Sequence, residues 1–236
     1  MARLFDKNMF IMLLTIMVGA VIITFFIADI QARSQEKIKY TAEIENIESM
    51  NLNFTSRFLS SVGDLDRARE YRATGNYYFD FATIWYNTAL VETNETKLDE
   101  YKSLVIDNCG LSIYNYNLSM YNFKIASAKF IDTLSYSIDE YTTLVNLYVN
   151  LSDSGSNLSS LRIVASGYLR ILAENITIQN GTVQFANNMT EVQELLNTTI
   201  EEYNSVVEEY NKIEEDIEKE YNIIGFSEDR TEIIIK

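Results

Sequence analysis

A long hydrophobic run near the start of the chain constrains its architecture more than any other feature. Residues Met9–Ala28 contain no charged side chain. As an α-helix, a run of this length rises about 30 Å, which matches the hydrocarbon core of a membrane. The core of a cleaved signal peptide is shorter, about 7–15 residues, and ends at a small-residue site. Val18–Ala20 offers only a weak site, so we predict a transmembrane anchor at 9–28 after a short cytoplasmic N-terminus at 1–8, with a cleaved signal as the alternative.

Nine Asn-x-Ser/Thr sequons follow the hydrophobic run, and none precedes it. Because Lys and Arg flank both ends of the run, the positive-inside rule does not set its orientation. Sequons become glycosylated only on the exported side of a membrane and mark accessible surface. They therefore predict a single-pass protein of the cell membrane, with its N-terminus inside and an extracytoplasmic domain at 29–236. The predicted glycosylation sites are Asn53, Asn94, Asn117, Asn150, Asn157, Asn175, Asn180, Asn188 and Asn197.

Three gaps in the composition exclude several classes of chemistry. The chain has no His, no Pro and a single Cys, Cys109. Without His it lacks the commonest general base and transition-metal ligand, and one Cys can form neither an intrachain disulfide nor a thiolate metal site. We therefore identify no catalytic, cofactor-binding or metal-ligating residue and predict that the protein is not an enzyme. Small secreted domains usually carry disulfides, so our hypothesis is that sequons without disulfides favour an archaeal cell surface over an animal secreted protein.

The charge of the chain bears on its partners. With 19 Lys and Arg against 34 Asp and Glu, the formal net charge is −15. An acidic surface repels phosphate, so the composition predicts no nucleic-acid partner. The predicted partners are membrane lipid through residues 9–28, together with other proteins or further copies of this chain.

The pattern of apolar residues predicts an all-α fold, in which the anchor continues as a stalk helix into an antiparallel helical bundle. Three- and four-residue steps from Ile38 to Leu65 carry the helix beyond the membrane. Gly63-Asp64 has the form of a helix stop followed by an N-cap, so a second helix is expected at 64–91. A long third helix follows the polar turn at 92–96. Shorter helices are expected at 137–152 and 157–174, separated by a loop at Ser152–Asn157 with the sequence SDSGSN.

Two features after residue 174 have distinct signatures. Apolar residues alternate around Asn180-Gly181, a pair favoured in two-residue turns, which predicts a small β-hairpin at about 175–187. The last helix has a coiled-coil-like heptad seam with many acidic residues between the seam positions. These acidic residues favour a solvated face on a bundle helix; the alternative is that they pair with a cluster formed by Arg57, Arg67, Arg69 and Arg72. The predicted seam comprises Leu196, Ile200, Tyr203, Val207, Tyr210, Ile217, Tyr221 and Ile224, with Glu214 in one apolar slot.

These features together predict a membrane-anchored, N-glycosylated helical protein of the cell surface. Its expected role is that of a structural or binding subunit of a cell-surface or membrane assembly. The alternatives are an accessory subunit of a membrane enzyme complex and a self-assembling surface filament subunit. An extracellular sensor is less favoured, because the sequence given contains no second hydrophobic run that would return to the cytoplasm.

Overall fold

The structure, a computed structural model, describes the backbone of residues 7–137 and 139–221 and, within these ranges, all side chains except those of 7–23, 26 and 140. A short 3₁₀ turn at Leu134–Tyr136 precedes the third helix. The chain divides after Leu52 into two compact units. The predicted helical fold with one small hairpin is confirmed. Its elements are the helices α1 (Lys7–Ala89), α2 (Glu95–Thr133), α3 (Asp139–Glu174) and α4 (Thr190–Tyr221) and the strands β1 (Ile176–Gln179) and β2 (Thr182–Phe185).

The first unit contains the N-terminal part of α1. Every described side chain from Thr24 to Ser49 is exposed. Arg33 pairs with Asp29 one turn earlier, at 2.9 Å between Nη2 and Oδ2. Over the residues that the structure describes, no helix has a stretch long and apolar enough to cross a membrane. The predicted anchor at 9–28 falls on α1, and the side chains of 9–23 and 26 lie outside the described residues.

The second unit is an antiparallel bundle of four helices, formed by α1 from Asn53 onwards and by α2, α3 and α4. Two serine contacts show that α2 is antiparallel to α1. Ser112 Oγ donates to Gly75 O (3.1 Å), and Ser119 Oγ donates to Ala68 O (2.8 Å). The same two hydroxyls contact Ser166 and Ser159 of α3 at 3.2 and 2.9 Å, so α3 is antiparallel to α2. Arg69 Nε donates to Tyr210 Oη (3.0 Å) and joins α4 to α1.

Small side chains at seven-residue spacing bring α1, α2 and α3 close together. Because a heptad keeps positions on one face of a helix, each set forms a column along one side of its helix. Close approach of the helices puts the serine hydroxyls within reach of each other and of backbone carbonyls. The columns, all buried, are Ser61, Ala68, Gly75, Ala82 and Ala89 on α1, Ser112, Ser119, Ala126 and Thr133 on α2, and Ser152, Ser159, Ser166 and Ala173 on α3.

Two predicted helix breaks were wrong. Gly63-Asp64 lies inside the uninterrupted α1, where Asp64 is buried and pairs with Lys129 of α2. Ser152–Asn157 lies inside α3 rather than in a loop. There Ser152 Oγ donates to Tyr148 O (2.8 Å), and a Cβ added to Gly155 would lie 2.4 Å from Phe123 Cε1. These small residues allow the helices to pack closely. Because glycine and serine are also common in turns, composition alone does not distinguish the two cases.

The predicted hairpin is confirmed, with β1 and β2 antiparallel and Ile176 opposite Phe185. Asn180 and Gly181 both have positive φ, 54° and 79°, as a type I′ turn requires. Lys102 Nζ of α2 donates to Ile176 O (2.8 Å), and the buried Ile176 side chain joins the core. An isolated hairpin is marginally stable, so these contacts hold it on the bundle.

The predicted seam of α4 is also confirmed over the described residues. Every seam residue from Leu196 to Ile217 is buried, including Glu214 in its apolar slot. Tyr221 is half-buried, and Ile224 lies outside the described residues.

Candidate functional site

The nine predicted glycosylation sites all fall on the bundle unit, spread over its helices and hairpin. The asparagines at eight of these sites are exposed, and Asn175 is half-buried. Asn53 is on α1, Asn117 on α2, Asn150 and Asn157 on α3 and Asn197 on α4. The others lie at helix ends and in the hairpin turn. The structure thus spreads these asparagines over the surface instead of gathering them into one site.

The side chains of Asn94 and Asn188 also accept hydrogen bonds from backbone N–H groups at the starts of helices. Asn94 is the N-cap of α2, and its Oδ1 accepts from Lys97 N (3.1 Å). Asn188 Oδ1 accepts from Thr190 N (3.1 Å) at the start of α4. An N-linked glycan is attached to Nδ2 rather than to Oδ1, so these hydrogen bonds and glycosylation are chemically compatible at both residues.

Asn175 forms hydrogen bonds through both its side-chain amide and its backbone carbonyl. Its Nδ2 donates to Ile171 O (2.9 Å), and its Oδ1 accepts from Asn187 Nδ2 (2.8 Å). Its backbone carbonyl accepts from Ala186 N (2.8 Å), which closes the open end of the hairpin. A glycan here would be attached at the junction between α3 and the hairpin, where both Nδ2 and Oδ1 of the amide already form hydrogen bonds.

Three sequons end in a serine that belongs to the bundle core. Ser119, Ser152 and Ser159, which complete the sequons at Asn117, Asn150 and Asn157, are fully buried. Their asparagines, two positions earlier on the helix, point outward. Three of the nine sequons therefore combine a surface asparagine with a core serine. Sequence reasoning missed this role, although the seven-residue spacing of these serines was visible.

A groove of about 640 Å³ lies between α3 and α4 in the described part of the bundle. Two sequon asparagines, Asn150 and Asn157, line it. Ser154 also lines it, and its buried Oγ has no hydrogen-bond partner among the described residues. The described residues contain no group of three or more acidic or Cys side chains placed to hold a metal ion. The remaining lining residues are Leu147, Asp153, Val206, Glu209, Lys212, Ile213 and Asp216.

Arg69 forms the predicted pairing between the arginine cluster and α4. Arg69 pairs with Glu214, and both side chains are largely buried, at 17% and 5% exposed. Arg57 instead pairs with Asp132 of α2, and Arg67 with Asp64 one turn before it. Arg72 enters the core. Its guanidinium lies over the Tyr210 ring at 4.5 Å and over the Phe123 ring at 5.0 Å.

A second buried arginine was not anticipated. Arg162 of α3 is 3% exposed and lies over the rings of Tyr203 (4.0 Å) and Phe79 (4.5 Å). Stacking on aromatic rings offsets part of the cost of removing a guanidinium from water. The available signal was the heptad pattern, because Arg72 and Arg162 both occupy slots that apolar residues fill elsewhere on their helices.

The comparisons with known proteins add no family or relative to this description. No protein-family model, no curated protein and no solved structure matches the chain.

Proposed function

We propose that this chain is a membrane-anchored, N-glycosylated helical protein that serves as a structural or binding subunit of a cell-surface or membrane assembly. Residues 9–28 form the anchor, and residues 29–236 lie outside the cell. The observation that supports this most directly is the placement of the sequons. All nine follow the hydrophobic run, and eight of their asparagines are exposed on the bundle.

The interior of the bundle supports a structural role over a catalytic one. Several of its buried polar groups are paired within the bundle, as in the serine contacts between helices and the Arg69–Glu214 pair. The groove between α3 and α4 holds carboxylates of α3 and α4 without a gathered ligand set. We therefore propose that the molecule acts through its surface and its anchor.

Membrane location and glycosylation are tested together on native membranes. We expect the full-length protein to stay in the membrane fraction after an alkaline carbonate wash. We also expect external protease to digest the bundle in intact cells, and glycopeptide mass spectrometry to find occupied sequons. Release by carbonate, or protection of the bundle in intact cells, would contradict the proposed anchor and topology.

The role as a subunit is tested by the native mass and composition of the protein extracted in mild detergent. We expect it to co-purify in fixed stoichiometry with other polypeptides or with further copies of itself. Co-purification with a membrane enzyme would favour the accessory-subunit alternative, and open-ended polymers would favour the filament alternative. Recovery as a monomer alone would contradict the proposal.

A further inference from the structure

The heptad pattern that forms the bundle core on α1 continues into the first unit without a change of register. In the bundle, alternating three- and four-residue steps place one side of α1 in the core. Counting back in the same steps gives a series that we call the leading seam: Ile30, Arg33, Lys37, Tyr40, Ile44, Ile47 and Asn51. Both stretches belong to the single helix α1.

The apolar residues of the leading seam are exposed, whereas those of the bundle core are buried. Ile30 is 63% exposed, Tyr40 60%, Ile44 56% and Ile47 50%. Most helical stability in proteins comes from packing an apolar face rather than from intrinsic propensity. A partner that covers this stripe would therefore stabilise the helix.

We propose that a second copy of this chain covers the leading seam, and that the two copies form a parallel, in-register, two-stranded coiled coil. In a parallel dimer each a position meets its own equivalent. The a positions here are Ile30, Lys37, Ile44 and Asn51, and the d positions include Tyr40 and Ile47. β-branched residues at a favour two strands, and an Asn or Lys at an a position sets register and oligomeric state.

The polar seam residues favour an identical partner. In register, Asn51 meets a second Asn51, whose amide supplies a matching donor and acceptor. Lys37 follows Glu36 directly, and Arg33 already pairs with Asp29, so carboxylates flank both cations. A partner with a continuous apolar face would leave the Asn51 amide without a matching group. The parallel direction rests on the proposed function, because two copies anchored in one membrane start from the same side.

Single cysteines introduced into the full-length protein test the arrangement. The native Cys109 is buried, so it gives little background. Ile30→Cys and Ile44→Cys place thiols at two a positions, about 21 Å apart along the helix. Ile38→Cys and Leu52→Cys are matched controls on the same helix, exposed but off the seam. After mild oxidation in detergent, we expect both seam variants to form disulfide-linked dimers and both controls to stay mainly monomeric on non-reducing gels.

The pattern of crosslinks decides the direction. An antiparallel pair has only one level at which a residue meets its own equivalent, so it cannot crosslink both Ile30→Cys and Ile44→Cys. Crosslinking of one variant alone, of neither, or of seam and control variants equally would overturn the proposal. Crosslinking of the seam variants does not depend on whether the sequons are occupied or on whether carbonate releases the protein from membranes. Failure of the proposed function and failure of the coiled coil are therefore seen in different experiments.

A second set of variants tests whether the seam drives association. We expect Ile44→Lys with Ile47→Lys to lower the dimer fraction at least tenfold by mass photometry, while Leu52→Lys leaves it unchanged. Removal of residues 222–236 is expected to leave the dimer intact. If that truncation abolished association, the terminal segment and not the seam would hold the copies together. If the double lysine variant stayed dimeric, the coiled coil would be excluded as the contact.

Discussion

Gly155 shows how closely the helices of the bundle approach. An added Cβ would lie 2.4 Å from Phe123 Cε1, inside any normal contact, whereas Gly167 on the same helix has open space beside it. We expect Gly155→Ala to destabilise the bundle by about 1–3 kcal/mol through overpacking against the ring. Gly167→Ala should instead stabilise α3 by up to about 1 kcal/mol, because Ala favours helix. Urea unfolding of both variants by circular dichroism measures the difference, and changes of the same sign would contradict this account of Gly155.

Cys109 provides a test at high pH. Burial raises the pKa of its thiol to about 12, so the fold favours the neutral form. Stability from this group is therefore complete below the ordinary thiol pKa and falls as the pH rises from there towards 12. At pH 8 we expect a thiol reagent to label Cys109 roughly tenfold or more slowly than the exposed cysteine of Leu52→Cys. Equal labelling rates in the folded protein would show that the thiol is accessible.

The N-cap of α2 separates a structural role from a glycosylation site. Asn94→Ala removes both the cap and the sequon and is expected to cost about 0.5–2 kcal/mol. Asn94→Asp keeps a capping oxygen and removes the sequon, whereas Thr96→Val removes the sequon and keeps the Asn cap. Thermal unfolding of protein made without glycosylation should show a loss only for Asn94→Ala. If Asn94→Asp lost as much stability as Asn94→Ala, the contact to Lys97 N would not be a functioning cap.

At the level of elements, periodicity predicted the helices better than composition predicted their ends. The seam of α4 from Leu196 to Ile217 and the hairpin around Asn180-Gly181 follow from short-range rules, and both were confirmed. The breaks expected at Gly63-Asp64 and Ser152–Asn157 were wrong, because glycine and serine serve turns and close helix packing equally well. Which use applies depends on the neighbouring helix, such as the Phe123 ring facing Gly155.

The candidate site was predictable to a similar degree. The sequon asparagines were found from their motif, and their exposure agrees with a surface role. The burial of Ser119, Ser152 and Ser159 could not be read from the motif, since it follows from the packing of three helices. The heptad positions of Arg72 and Arg162 were visible in the sequence, but the aromatic rings from other helices on which they stack were not.

At the scale of the whole molecule, some sequons have their asparagine on the surface and their serine in the core. Glycosylation of these sequons therefore depends on whether the chain has already folded. A sequon requires its Ser or Thr, so the modifying enzyme must reach that residue as well as the asparagine. In the folded bundle, Thr55, Thr96 and Thr182 are exposed, whereas the hydroxyls of Ser119 and Ser159 are hydrogen-bonded within the core. Folding therefore leaves one group of sequons accessible and closes another.

Glycosylation in vitro can separate the two groups. Unglycosylated protein, once folded, is treated with an oligosaccharyltransferase and a lipid-linked donor, and occupancy is read by glycopeptide mass spectrometry. We expect Asn53, Asn94 and Asn180 to be modified, and Asn117 and Asn157 to stay at least tenfold less occupied, because exposing their serines requires opening of the core. Peptides spanning the same sequons should be modified without this division, which controls for local sequence preference. If the folded protein were modified equally at all five sites, the serine columns would open readily, and the close packing of α1, α2 and α3 would not persist in solution.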